Sequence, residues 1–140
     1  MNARLRTGVV LILCLLPMVS KAESTARTQP YSEADMLPVR SVTLTPGTVQ
    51  PRMQATSGLP TLFLIGDDPR SRAWLQQRLP VLQRLKAVGL VVQVETVSGL
   101  EQLRRAAPGV SLFPSAADDL AQRLGLQHYP VLITATAIEQ

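Results

Sequence analysis

At 140 residues, with one cysteine and one histidine, the chain is sized for a single domain and has too few thiols and imidazoles for a disulfide framework or a Cys/His metal centre. Its formal charge of +4 includes Arg4, Arg6 and Lys21; without those three cations, which all lie in the first 22 residues, it falls to about +1. The basic character is thus concentrated at the N-terminus and gives no case for a nucleic-acid surface.

Residues 1–22 read as a secretory signal peptide. Arg4 and Arg6 form a basic start, and "VVLILCLL", Val9 to Leu16, is an apolar stretch of signal length, well short of the ~20 residues a spanning helix needs. "SKA" places small residues before a cleavage point between Ala22 and Glu23. Competing readings are an uncleaved membrane anchor, disfavoured by the short apolar run, and a lipid anchor on Cys14, disfavoured by the bulky Leu13 before it. Cleavage removes Cys14 and leaves no thiol for disulfide or nucleophilic chemistry; the signal peptide makes the periplasm the expected location, with membrane contact only through that transient segment.

Residues 23–58 carry Pro30, Pro38, Pro46 and Pro51 among Ser, Thr and Gln, the composition of an extended linker. Within it, "VRSVTLT", Val39 to Thr45, alternates as an edge strand would, and "TPG" closes it as a turn.

Residues 59–140 have the regular pattern of a folded domain. "TLFLIG" is a short apolar strand. Asp68 followed by Pro69 starts a helix, with a capping carboxylate and then a proline at the first helical position. Trp74, Leu75, Leu79, Leu82, Leu85 and Val88 give the helix one apolar face. Pro80 should kink it and Gly89 should stop it. "LVVQVETV" is the second strand. Ser98 with Glu101, and Ser115 with Asp118, read as caps of two further helices, with "VSLFP" between them as a minor strand. Gly125 caps the last helix, and "YPVLITA" is the third strand. The order is α/β, with the first two strands expected to be parallel.

Few residues suggest chemistry. Asp67 and Asp68 at a strand end resemble the start of a magnesium-binding receiver site. However, "VSLFPS" offers no phospho-accepting aspartate, no lysine follows Lys86, and two adjacent acids are too few ligands. The alternative is that Asp68 caps the helix and Asp67 favours its positive end. His128 could act as a general base on Ser111, Ser115 or Thr134, or simply pack near Tyr129; no triad spacing is visible. Tyr129–Pro130 is either a cis bond or a trans proline opening a strand. No cofactor motif is present in the sequence.

Two blocks, "PTLFLIGDDPRSRAWLQQRLPVLQRLKAVGLVVQVET" and "LFPSAADDLAQRLGLQHYPVLIT", resemble a family of small exported proteins encoded by bacterial integrating conjugative elements, a family without assigned activity. They are also similar to a degenerate thioredoxin-like domain of the F-type conjugative pilus assembly protein TrbC family. The resemblance implies a small mixed or parallel sheet flanked by helices and lacking the Cys-x-x-Cys pair. The loop Asp67–Arg70 stands where that pair would be, and Pro130 stands at the cis-proline position. The closing antiparallel strand and final helix of thioredoxin are expected to be missing. The implied function is non-enzymatic: assembly or operation of a type IV secretion apparatus through binding of its proteins, or a chaperone role toward a pilus subunit. A hydrolase using His128 is the enzymatic alternative. The implied binding residues are Asp67, Asp68, Arg70, His128, Tyr129 and Pro130.

Overall fold

The computed structural model describes residues 32–140. The expected signal peptide, its Ala22–Glu23 cleavage point, Cys14 and residues 23–31 of the expected linker lie outside the described residues. Among the described residues, no helix is long and apolar enough to cross a membrane.

A six-stranded mixed sheet forms the centre. It is built from β2 (Arg52–Met53), β3 (Leu62–Gly66), β4 (Val88–Gln93), β5 (Ser111–Pro114), β7 (Val131–Ile133) and β8 (Ala137–Glu139). The strand order is β2-β8-β7-β3-β4-β5. β3, β4 and β5 run parallel, as expected of strands joined by helical crossovers. β7 is antiparallel to β3, β8 to β7 and β2 to β8. The closing antiparallel strand expected to be missing is therefore present, as the three residues Ala137–Glu139. A separate two-stranded pair joins β1 (Thr45–Pro46) to β6 (His128–Tyr129) in parallel.

The strand period of two divides the core between the two faces of the sheet. Phe63, Ile65, Val91 and Leu132 pack with Trp74, Leu75 and Leu82 of α1 (Pro69–Arg84) and with Leu100 and Leu103 of α2 (Val97–Ala106). Leu62, Leu64, Val92, Val131 and Ile133 pack with Ala121 and Leu124 of α3 (Asp118–Leu124). Phe63, Leu64 and Ile65 are fully buried; each such side chain contributes roughly 1.5–3 kcal/mol.

Residues 32–58 do not run as a free linker. Val39 bridges Val94, Leu44 and Val49 are buried in the α3-side core, and β2 extends the sheet beside β8. Nor is 39–45 one continuous strand: a turn at Val42–Thr43 breaks it, and pairing resumes only at Thr45. The buried Ser41 causes the break, donating to the Val92 carbonyl at 2.9 Å and accepting from the Ala117 N–H at 3.1 Å.

Three helix boundaries also differ from expectation. α1 ends at Arg84, and Gly89 lies inside β4, because a Cβ there would overlap Phe63 and Leu112. α1 continues through Pro80, which sits on its exposed side. α2 is capped by Thr96, which accepts from Gly99 N–H at 3.1 Å, and not by Ser98. α3 has no side-chain cap of its own; Ser115 bonds the Ala116 carbonyl, and Asp118 turns out to Thr43. Gly125 ends α3 in the left-handed region, at φ 64°, as expected.

Candidate functional site

The site residues lie on two loops that strand pairing brings together. The first follows β3, which ends in Gly66. Asp68 caps α1 with both oxygens: one accepts the Ser71 N–H at 2.9 Å, the other the Ser71 hydroxyl at 2.8 Å. The fully buried Ser71 hydroxyl in turn accepts the Gly66 N–H at 3.0 Å. Asp67 donates its N–H to the Gln93 carbonyl at 2.8 Å and pairs its carboxylate with Arg72. That carboxylate lies against Gly99, where a Cβ would collide with it. Both acids are thus engaged in positioning α1 and α2. Among the described residues, no cluster of three His, Cys, Asp or Glu could hold a metal ion.

The second loop is His128–Pro130. Its position follows from the antiparallel register of β3 and β7, which sets Leu64 opposite Val131. Gly66 and Tyr129 then meet so closely that a Cβ on Gly66 would lie 2.6 Å from the tyrosine ring and 2.9 Å from Asp68 Oδ2. The Tyr129–Pro130 bond is cis, which settles the alternative left open by the sequence. Tyr129 is buried, and burial pushes its hydroxyl up to about 12, with the nearby Asp68 charge acting in the same direction. This tyrosine stays neutral and packs; it is not poised to give up a proton.

His128 is half-buried, with Nδ1 3.1 Å from Thr45 Oγ1 and 3.3 Å from the Thr45 carbonyl. The candidate nucleophiles lie elsewhere: Ser115 bonds Ala116, and the Thr134 hydroxyl is engaged with Ala137. The side chain facing His128 is Thr45, the last residue of the edge strand expected at 39–45. Arg70 is exposed and donates to Thr48 Oγ1 at 3.0 Å.

Between α1 and the Pro130 loop lies an open groove of about 520 Å³, lined by Arg70, Trp74, Gln77, Arg78, Pro130 and Gln140 among others. Arg78 donates to the Gln140 carbonyl, and Gln140 Nε2 donates to the carbonyls of Pro130 at 2.9 Å and Gly47 at 2.8 Å. Trp74 packs on Phe63 with ring centres 5.9 Å apart. Its indole N–H is buried without an acceptor among the described residues.

Of the six expected binding residues, Arg70 and Pro130 line this groove together with Trp74 and Gln140, Asp68 and Tyr129 meet at Gly66, Asp67 faces Arg72 and Gly99, and His128 faces Thr45 and Gly47. Of these neighbours, only Gly47 carried a local signal, as the end of "TPG", and that was read as a turn. The rest are ordinary residues brought in by the fold.

Neither the curated proteins nor the solved structures hold a significant match to this chain. One family model, described as protein of unknown function (DUF2859), matches residues 16–138. That span covers most of the sequence, and the chain belongs to that family.

Proposed function

We propose that this protein is a non-enzymatic, exported component of an integrating conjugative element, acting in the periplasm. There it assists assembly or operation of the type IV secretion apparatus by binding other proteins of that apparatus. The observation that carries the reading is the state of the polar groups where the two loops meet. Asp67, Asp68 and His128 each hold a neighbouring segment in place, and Tyr129 is kept neutral by burial. A surface whose polar groups are held in this way is suited to recognition.

Three features support the rest. The N-terminal pattern of basic, apolar and small residues suits export. A helix starting directly after a central strand, facing a cis-proline loop before an antiparallel strand, suits a thioredoxin-like scaffold without its thiols. The groove beside Pro130 gives such a scaffold a place for a partner, with Arg70 and Arg78 on its walls.

The test is conjugative transfer from donor cells deleted for this gene. Transfer should be lost, return with the wild-type gene and fail to return with an Arg70→Ala/Gln77→Ala double variant that accumulates to normal levels. Undiminished transfer from the deletion strain refutes the reading.

A further inference from the structure

One flank of α1 carries its charge at a regular interval. Arg70, Trp74 and Arg78 stand four residues apart and form one ridge along the helix, with steps of about 6 Å and about 12 Å between the two cations. All three line the open groove of about 520 Å³, whose other apolar lining is Ala73 and Pro130. No acid lines that groove. From Pro69 to Val94 the sequence holds four arginines and a lysine without one Asp or Glu.

Both cations have capacity left. Arg70 gives one N–H to Thr48 and Arg78 gives one to the Gln140 carbonyl, out of five on each guanidinium. Neither forms an ion pair among the described residues; Glu139 shares an adjoining hollow with Arg78 without pairing to it. An anion can therefore bond both without breaking a contact of the fold.

The spacing selects the shape of that anion. Two residues of extended chain advance about 6.7 Å and bring the side chain back to the same side. That advance nearly matches one four-residue step of the ridge. An extended segment lying along α1 thus presents every second side chain to Arg70, Trp74 and Arg78 in turn, and the complementary order is acid, apolar residue, acid. A second copy of this chain cannot supply the segment, because no two acids in its 140 residues stand four apart.

We propose that this flank of α1 is a receptor for an acidic extended segment of a partner protein, with the pattern Asp/Glu-x-apolar-x-Asp/Glu. The segment is read by side-chain charge along the helix, with no strand pairing, and β1 and β6 stay joined. This rests on the reading of the protein as a binding component and specifies what it binds.

The test titrates three peptides into the full chain by calorimetry at low salt. Emission of Trp74, the sole tryptophan and part of the groove, gives a second readout. Gly-Glu-Ser-Val-Ser-Glu-Gly has the pattern, Gly-Gln-Ser-Val-Ser-Gln-Gly lacks the charge, and Gly-Glu-Glu-Ser-Val-Ser-Gly has the charge without the spacing. The first should bind at least about 10-fold more tightly than the second and about 3-fold more tightly than the third, since two charge-assisted contacts replace none or one. Arg78→Gln should erase the difference between the first and third peptides while still unfolding cooperatively in urea. Should Arg78→Gln not fold, Arg70→Gln, at an exposed position, should show the same loss. Equal binding of the two charged peptides, no binding of any, or an unchanged preference in a folded variant overturns the proposal. Inorganic phosphate that competes as well as the first peptide makes this a bare anion site and also overturns it. Lost transfer in the deletion strain without a peptide preference overturns this receptor and leaves the apparatus role standing; a peptide preference with undiminished transfer does the reverse.

Discussion

Replacing Asp68 separates a structural carboxylate from one kept for its charge. In Asp68→Ala the Ser71 N–H at the start of α1 loses its acceptor, and so does the Ser71 hydroxyl. Loss of the N-cap costs about 1 kcal/mol. Ser71 is fully buried, so its orphaned hydroxyl costs about 1–3 kcal/mol more. Both losses arise from one side chain and are not strictly additive, which gives about 3 kcal/mol in all. Asp68→Asn keeps a carbonyl oxygen for the Ser71 N–H and should cost only about 1 kcal/mol. The assay is urea unfolding of the full chain followed by tryptophan emission, since Trp74 is the sole tryptophan and is buried against Phe63. The expected order of midpoints is wild type, then Asn, then Ala, with Asp68→Ala melting on the order of 10 °C early. An alanine variant within ~0.5 kcal/mol of wild type would refute the capping account, because a surface change with no structural role falls in that range.

Gly89→Ala should be more damaging than its exposed-helix equivalents, because the added methyl on β4 meets the buried Phe63 of β3 on one side and the buried Leu112 of β5 on the other. Overpacking of this kind costs about 1–3 kcal/mol, measured by the same unfolding experiment, and an unchanged midpoint would count against the packing described for β3–β5. Tyr129 gives a pH signature. Its folded hydroxyl lies above its ordinary value, so its neutral form stabilises the fold at neutral pH. That contribution falls as pH rises through the ordinary tyrosine range, ~10, and is gone past the folded value of about 12. Alkaline unfolding should therefore be blunted in Tyr129→Phe, and identical alkaline profiles would contradict the burial of this hydroxyl.

The elements that can be read from the sequence are those whose signals are local. Asp68-Pro69 marks its helix start because the cap and the proline act on their own turn. "LFLIG" reads as a strand because the same five residues are buried on both faces. The N-terminal segment fails that test. Val39, Leu44 and Val49 recur every five residues, matching neither a strand nor a helix, because each is a single plug between polar stretches. The start of α3 is not legible locally, because the hydroxyl that accepts the N–H of its N-cap residue, Ala117, belongs to Ser41, 76 positions earlier. Gly89 is ambiguous in sequence because a glycine reads the same whether it ends a helix or lets two side chains close over it. The loops at Asp67–Arg70 and His128–Pro130 can be located from their local residues, but the segment paired with the second cannot, since nothing in "TPGT" announces a contact 83 positions away.

Ser41 also bears on the order in which the protein is made. It bonds Val92 and Ala117, Thr43 bonds Asp118, and Gly47 bonds Tyr129 and Gln140. A ribosome delivers these early residues first, yet every partner they need is synthesised late. Residues 41–47 stay unsatisfied until those later segments are in place, so the N-terminal part of the fold closes last.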